Sequence, residues 1–253
     1  MLPAKISVLG VRISRLDYTR AVDEIISAGR ERRDMAVTAL AVHGLMEAFM
    51  NGDLRAKINA FDIVTPDGQP VRWAQNLLGA KELKDRVCGP ILTEKVCEKA
   101  AETGVPVFFY GSRAETLQKL TDNLKRRFPK LIIAGVQPDR FRDATPEEDA
   151  ADNKRINDSG AGITFVGRGC PRQEKWVAAH VGRAHGVLFA VGAAFDFHAG
   201  TIPRAPKILQ DLGLEWVFRL MQEPKRLWRR YLILNPLYMF HFTLQWLGIK
   251  KYD

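Results

Sequence analysis

The sequence predicts an α/β protein in which a mainly parallel β-sheet has helices on both faces, followed by a helical C-terminal appendage. Short, nearly continuous apolar runs alternate with stretches of helical period along most of the chain. This alternation is typical of a parallel sheet that is buried on both sides. A length of 253 residues with 46% hydrophobic residues is ample for one large core. We therefore predict a Rossmann-like domain over residues 1–201 and a basic, aromatic-rich appendage over residues 202–253.

The strands and helices can be assigned in chain order. Apolar runs predict strands over residues 35–40, 61–64, 105–110, 131–136, 163–166 and 187–191. The stretches between them predict helices over residues 43–50, 71–78, 91–103, 147–158 and 175–180, and one that begins at Ser112. Ser112 and Glu115 match the S-x-x-E pattern of a capping box. Because ligands bind beyond the carboxyl ends of parallel strands, we expect functional residues in the loops that follow the strands.

The positive charge of the chain is concentrated near its end. Of a net charge of +9, five charges fall within residues 204–253, together with three of the five tryptophans. Basic residues interleaved with aromatic ones are typical of a segment that lies on an anionic membrane surface. Asn235 and Pro236 interrupt the longest apolar stretch, so we expect this segment to lie on a membrane without crossing it. The alternative is a pair of helices docked on the body, with the aromatic residues in the core.

The remaining features of composition concern localisation and partners. We find neither a signal peptide nor a run of about 20 apolar residues. Three cysteines without a C-x-x-C motif are typical of a reducing cytoplasm. The run LILNPLYMFHF suits lipid better than a groove that follows a phosphate backbone, so we expect a membrane and no nucleic acid as partner. The sequence leaves open whether the chain forms a homo-oligomer.

Two loop residues are candidates for chemistry. Asp67 stands in Thr-Pro-Asp-Gly after a predicted strand, where a carboxylate can act as a general base. The same Pro-Asp-Gly sequence is common in turns, with the aspartate bonded to its own backbone. Arg86 precedes a glycine at the start of a predicted helix, a combination that can hold a diphosphate. The alternative for Arg86 is a solvated surface arginine.

Other motifs are weaker. GRGCPR at residues 167–172 begins like a dinucleotide fingerprint but lacks the third glycine, which disfavours a nicotinamide dehydrogenase and leaves a nucleotide-phosphate loop open. We expect Asp196 and His198 to fix their loop by hydrogen bonds, because no serine stands in a G-x-S-x-G context. The sequence contains no H-x-x-x-H motif and no D-x-D pair, so we predict no metal site.

Three arginines in the appendage form a further candidate group. Arg226, Arg229 and Arg230 have the i, i+3, i+4 spacing that gathers side chains on one face of a helix. Such a face could contact anionic lipid or fold over the body and hold a leaving diphosphate. An ordinary solvated basic face is the alternative.

Several sequence blocks together resemble a known family. They are, in order, VTALAVHGLMEAF, DIVTPDGQPVRWA, RVCGPIL, FFYGSR, FVGRGCPRQEKW, VGAAFDFHAGTIPRAP and GLEWVFRLMQEPKRLWRRYL. The chain resembles the WecG/TagA/CpsF family, glycosyltransferase family 26, over almost its whole length. The resemblance implies transfer of a hexose from a UDP-sugar to a polyprenyl-diphosphate-linked saccharide at the inner face of the bacterial cytoplasmic membrane, for a surface or exopolysaccharide. It implies inversion at the anomeric carbon, and neither a metal nor another cofactor.

The resemblance also implies roles for individual residues. Asp67 would be the general base, and Arg86 and Gln173 would contact the donor or its departing diphosphate. Thr38 matches the threonine of the family's first loop. The appendage would be peripherally attached to the membrane, with Arg226, Arg229 and Arg230 completing the site.

One position departs from the family pattern. The family's first loop usually reads Thr-x-Asn, whereas Thr38 is followed here by Ala39 and Leu40. This difference puts N-acetylmannosamine in doubt as the donor sugar and favours a glucose donor. A non-catalytic basic protein that binds nucleic acid or membrane phosphate is the alternative function.

Overall fold

The structure is a computed structural model that describes residues 2–79, 83–203 and 205–252. Arg204 and Asp253, which contribute to the charge counted above, lie outside these residues. The chain begins with an antiparallel hairpin of β1 (Lys5–Val8) and β2 (Val11–Ser14), followed by helix α1 (Tyr18–Glu31). Neither the hairpin nor α1 is predicted by the pattern of apolar runs.

The main sheet is parallel throughout, as the sequence predicts. Within the described residues its strands are β3 (Met35–Leu40), β4 (Ile63–Pro66), β5 (Val107–Gly111), β6 (Ile133–Gln137), β7 (Ile163–Gly167) and β8 (Val187–Ala190). Their order across the sheet is β4-β3-β8-β7-β5-β6. Each strand begins and ends within two residues of its predicted range. The fully buried apolar side chains of β3, β5, β7 and β8 explain this agreement, because strands buried on both faces read as continuous apolar runs.

The helices surround the sheet and complete the chain. They are α2 (Val42–Met50), α3 (Gly52–Asn59), α4 (Gln69–Leu77), α5 (Gly89–Thr103), α6 (Ala114–Arg127), α7 (Pro146–Asp158), α8 (Arg172–His180), α9 (Ala194–Ala199), α10 (Lys207–Asp211), α11 (Glu215–Gln222), α12 (Pro224–Trp228) and α13 (Leu234–Trp246). A π-helix, Arg229–Ile233, joins α12 to α13. Helices α3 and α9 are additions to the predicted set.

The capping box predicted at Ser112 and Glu115 is wrong. Helix α6 begins two residues after Ser112, and its N-cap residue, Arg113, makes no side-chain capping bond. Ser112 instead has a φ of 57°, and its backbone N–H donates to the carbonyl of Gly167 at the end of β7. The residue is therefore part of a turn that joins two strand ends.

Two hydrophobic cores lie on opposite faces of the sheet. Helices α1, α5, α6 and α9 contribute to one core, and α2, α3, α4, α8 and α13 contribute to the other. Strands β3 and β8 are neighbours, but β3 leads into α2 on one face and β8 leads into α9 on the other. The chain therefore diverges at the carboxyl ends of these two strands, which opens a crevice suited to ligands.

The C-terminal helix α13 is packed on the body of the protein. Tyr238 and Phe242 are buried in the core with α2, and the Tyr238 hydroxyl donates to the carbonyl of Pro70. The Gln245 side chain accepts a hydrogen bond from the N–H of Leu9 in the N-terminal hairpin, at 2.9 Å. The docked-helix alternative thus accounts for these aromatic residues.

Other apolar side chains of the same segment point outward. Exposed ones are Ile208, Leu212, Leu214, Met221, Trp228, Leu232, Ile233, Met239, Phe240, Trp246, Leu247 and Ile249. Within the described residues, no helix combines the length and the apolar character needed to cross a bilayer.

Candidate active site

A cleft with two lobes opens at the carboxyl ends of the strands. The polar lobe, with a volume of about 660 Å³, is lined by residues that include Ser112, Asp139, Arg168, Gln173, Glu174, Asp196 and Arg226. The aromatic lobe, of about 150 Å³, is lined by residues that include Arg86, Phe197, Glu215, Trp216 and Tyr231. Both lobes share Asp67, His43, Arg219 and Arg230. The cleft therefore lies where the loops after strands were expected to meet.

Asp67 lies at the junction of the two lobes, immediately after β4. Its backbone N–H donates to the carbonyl of Leu40 at the end of β3, at 3.2 Å. Its Oδ2 accepts a hydrogen bond from the N–H of Gly89, the first residue of α5, at 3.2 Å. The side chain thus joins separate segments instead of bonding to its own turn. Burial raises the pKa of the Asp67 carboxyl, while Arg86 and the Gly89 N–H oppose this increase.

Arg86 lies near Asp67 and contacts the C-terminal segment. Its Nη2 donates to Oε2 of Glu215 at 2.5 Å and to Oε1 of Gln210 at 3.2 Å. The side chains of Arg86 and Glu215 are only 12% and 23% exposed. The solvated-surface alternative for Arg86 is therefore wrong.

Gln173 and Thr38 belong to a buried network under the polar lobe. The Gln173 amide donates to Oε1 of Glu174 at 2.9 Å, and its Oε1 accepts from the N–H of Gly192, after β8, at 3.3 Å. The Thr38 hydroxyl donates to the same Glu174 oxygen at 3.1 Å. Gln173 and Glu174 reach the cleft, whereas Thr38 is fully buried and supports Glu174 from below. Burial raises the pKa of Glu174.

The appendage arginines occupy different positions. Arg230 is half-buried and lines both lobes, and Arg226 lines the polar lobe while its guanidinium bonds to Glu223. Arg229 is exposed and lines neither lobe. The chain forms a π-helix from Arg229 onward. The i, i+3, i+4 spacing gathers side chains on one face of an α-helix, so it does not bring these three arginines together here.

Helix N-termini add positive potential to the cleft. Helices α2, α6, α8 and α9 begin beside it, at the N-cap residues Ala41, Arg113, Pro171 and Ala193, none of which makes a side-chain capping bond. The dipole of a helix favours a negatively charged ligand at its N-terminus. Together with the arginines, these helix ends suit the cleft to an anionic ligand such as a diphosphate.

Comparison with known protein families agrees with this geometry. The model of the glycosyl transferase WecG/TagA/CpsF family matches residues 6–252, which is nearly the whole chain. The chain belongs to this family. It is a glycosyltransferase of polysaccharide biosynthesis, so the resemblance drawn from the sequence blocks is confirmed.

The cleft of this glycosyltransferase contains groups for the two tasks of glycosyl transfer. The reaction needs a base for the acceptor hydroxyl and positive charge for the leaving group. Asp67, with its raised pKa, can accept a proton. Arg86 lies close enough to affect that pKa, and Arg219 does so from the C-terminal segment. The Asp67 carboxylate therefore meets Arg219 and Arg230 at the junction of the lobes, with Arg86 on the adjoining wall of the aromatic lobe.

Sequence analysis missed Arg219 as a candidate. Its guanidinium lies 5.6 Å from the ring centroid of Phe197, and it lines both lobes. Within the described residues, its buried Nε has no hydrogen-bond partner. Arg219 follows Glu215 by four residues, so a helix places both side chains on one face. That spacing is the signal in the sequence that could have identified the pair.

His43 is a second missed residue, at the start of α2. Burial and, to a lesser degree, the nearby Arg230 lower the pKa of His43 to about 4. The ring is therefore neutral at pH 7. Asp196 lines the polar lobe, and His198 has its Nε2 2.8 Å from the carbonyl of Pro90. Among the described residues, no group of three or more His, Cys, Asp or Glu side chains could hold a metal ion.

Proposed function

We propose that the protein is an inverting glycosyltransferase that moves a hexose from a UDP-sugar to a polyprenyl-diphosphate-linked saccharide. The catalytic domain would comprise residues 1–201, and the appendage of residues 202–253 would cover the cleft and contact the membrane. The observation that carries the proposal is the partly buried carboxylate of Asp67, placed beside Arg86 at the junction of a cation-lined lobe and an aromatic lobe. The family match supports sugar transfer in general.

In the proposed reaction Asp67 removes the proton of the acceptor hydroxyl. The hydroxyl oxygen then forms a bond to the anomeric carbon as the bond from that carbon to the UDP oxygen breaks on the opposite face. Base assistance of this kind contributes about 10²- to 10⁴-fold. The charge that develops on the UDP diphosphate is met by Arg219, Arg226 and Arg230, which line the polar lobe, and by the helix N-termini. Arg86, on the adjoining wall of the aromatic lobe, acts on the same region through its charge.

The two lobes suit different substrates. The polar lobe has arginines and uncapped helix ends for the nucleotide diphosphate, with Gln173 on its wall. The aromatic lobe offers Trp216 and Tyr231, whose rings can pack against a saccharide, and lies under the appendage. We assign the donor to the polar lobe and the acceptor to the aromatic lobe.

The donor sugar is proposed to be glucose. Leu40, at the position where the family loop has asparagine, borders the polar lobe but is only 1% exposed and packs in the core with α2. Thr38 is fully buried with its hydroxyl bonded to Glu174, so neither residue offers the sugar an amide or a free hydroxyl. A pocket of this kind places no demand on an N-acetyl group.

Membrane attachment is proposed to use the outward-facing apolar residues of the appendage. Trp228, Phe240 and Trp246 are about half exposed and belong to the same segment as the arginines that reach the cleft. Aromatic rings settle at the boundary between head groups and acyl chains, and basic residues contact anionic head groups. The protein would lie on the cytoplasmic face of the cell membrane. Phe240→Ser with Trp246→Ser should reduce co-sedimentation with anionic vesicles; unchanged sedimentation would contradict the attachment.

A transfer assay tests the function. The purified protein is supplied with UDP-glucose, UDP-N-acetylmannosamine or UDP-N-acetylmannosaminuronic acid and with a lipid-diphosphate saccharide, in the presence and absence of a chelator. We expect transfer from UDP-glucose that the chelator does not abolish. Asp67→Asn should lower turnover at least tenfold and retain UDP binding, with the exposed Asp53→Asn as control. No transfer from any donor, with salt-sensitive retention on DNA, would favour the non-catalytic alternative.

A further inference from the structure

The first part of the appendage meets the body through a small number of polar contacts. Arg86 bonds to both Gln210 and Glu215, which stand at the end of α10 and the start of α11. No residue of α11 is fully buried, and residues 215–220 are only half-buried against the body. The partly buried ion pair between Glu215 and Arg86 is a charged contact that can orient α11 on the body.

Orienting α11 also places Arg219. Glu215 and Arg219 are four residues apart, and in a helix such residues lie one turn apart on the same face. With Glu215 held against Arg86, the Arg219 guanidinium lies over Phe197 and reaches both lobes at the junction occupied by Asp67. One contact therefore determines the position of two cations.

We propose that Glu215 is a positioning residue. Its ion pair with Arg86 holds the appendage on the body and places the guanidinium groups of Arg86 and Arg219 near Asp67. Glu215 does not touch the reacting atoms in this role. It makes the catalytic cleft complete only while α11 is docked. A substitution at Glu215 therefore affects turnover through the two arginines.

Charges of both signs act on Asp67. The strongest effects on its pKa besides burial come from Arg86, the Gly89 N–H, Glu215 and Arg219. Other titratable groups that face it are Cys88, Tyr18, Tyr231, His43 and Arg230. Glu215 raises the pKa of Asp67, and both arginines lower it. Removing the Glu215 charge lowers the pKa of Asp67, whereas releasing Arg219 together with α11 raises it, so the two effects of Glu215→Gln on the acid limb of the kcat/KM profile oppose each other. The positioning role is therefore tested by the docking of α11 and by rescue with a variant that keeps the carboxylate.

The test compares Glu215→Gln with Glu94→Gln in the full chain. Glu94 forms a matched ion pair with Arg127 on the body and lines neither lobe. For Glu215→Gln we expect amide exchange in residues 215–222 to accelerate at least tenfold and kcat for sugar transfer to fall at least tenfold. Glu94→Gln should change neither of these. Glu215→Asp, which keeps the charge on a shorter side chain, should slow the exchange again and recover part of the turnover.

Two results would overturn the proposed positioning role of Glu215. Unchanged amide exchange in Glu215→Gln would show that another contact docks α11. Unchanged or increased turnover would show that the pair does not assist the reaction, and an increase would identify it as an inhibitory contact. The positioning role rests on the proposed function, so amide exchange is measured independently of sugar transfer. Even if the protein has no transferase activity, the exchange rates still show whether Glu215 docks α11. Should Glu215→Gln not fold, Gln210→Ala weakens the same contact and is expected to shift exchange in the same direction.

Discussion

Gly89 is a sensitive position in the cleft, and its replacement by alanine gives a quantitative prediction. A Cβ at residue 89 would lie 2.6 Å from the carbonyl oxygen of Val191 and 3.4 Å from the Cβ of Ala39. Contacts of 2.6 Å between a carbon and a backbone oxygen are not tolerated, so the start of α5 or the loop after β8 must move. Overpacking of this kind typically costs about 1–3 kcal/mol of folding free energy.

The same movement affects catalysis. The Gly89 N–H is 3.2 Å from Oδ2 of Asp67, so a shift of a few tenths of an ångström is enough to break the hydrogen bond. A hydrogen bond to a charged group is worth about 1.5–3 kcal/mol. If the bond orients the base in the transition state, its loss should lower kcat at least about tenfold, since 1.36 kcal/mol corresponds to a factor of ten.

Gly52→Ala is the matched control for Gly89→Ala. Gly52 is also the first residue of a helix, α3, but a Cβ there meets no atom within 4 Å. Thermal unfolding and sugar-transfer kinetics are measured for both variants. Gly52→Ala should be neutral or slightly stabilising, since alanine reduces the entropy of the unfolded chain. Equal stability and equal turnover in the two variants would refute the reasoning about Gly89.

Three further predictions concern charge. Between pH 6.5 and about 4, His43 is protonated in the unfolded chain but not in the folded protein. The free energy of unfolding should therefore decrease as the pH falls through this range, by up to about 3 kcal/mol. His43→Gln should make the decrease of Tm with falling pH shallower, and an identical slope would contradict a neutral His43 ring. Arg86→Gln removes a charge that lowers the pKa of Asp67, so the acid limb of kcat/KM should move to higher pH, and a downward shift would contradict the proximity of the two groups. Arg230→Ala should reduce turnover at least tenfold more than Arg229→Ala, measured at saturating donor, because only Arg230 lines the lobes; equal losses would count against the docked appendage.

Most of the parallel sheet could be predicted because β3, β5, β7 and β8 are buried on both faces and therefore appear as continuous apolar runs, whereas β6 at the edge is half-buried. The hairpin could not, because β1 and β2 have only four residues each and β2 includes the exposed Arg12 between the buried Val11 and Ile13. The loop at residues 192–200 contains α9, whose six residues are too few to show a helical period. Local patterns of apolar residues thus identified the elements of the core and missed the small elements at its edge.

The site was predicted in part. Asp67 follows a strand end that the pattern located, so its place in the cleft follows from the topology of a parallel sheet. Arg86 stands between α4 and α5 and is brought to Asp67 by the backbone hydrogen bond from the N–H of Val87 to the carbonyl of Pro66, which no local pattern indicates. Arg219 and Glu215 come from the appendage, and no local rule indicates which of its residues will face the body. The position of Arg229 was not predictable from the i, i+3, i+4 spacing, because that spacing assumes an α-helix where the chain forms a π-helix.

The hydrogen bonds between Gln245 and the N-terminal hairpin have a consequence for how substrates reach the cleft. Helix α13 is fastened to the hairpin and to α2, while α9, at the other end of the same stretch, is fastened in the opposite core. The segment of chain over the active site is thus held at both ends and cannot open like a flap about a single hinge. If the acceptor is the lipid-linked saccharide proposed above, it must enter and leave the cleft sideways beneath this segment.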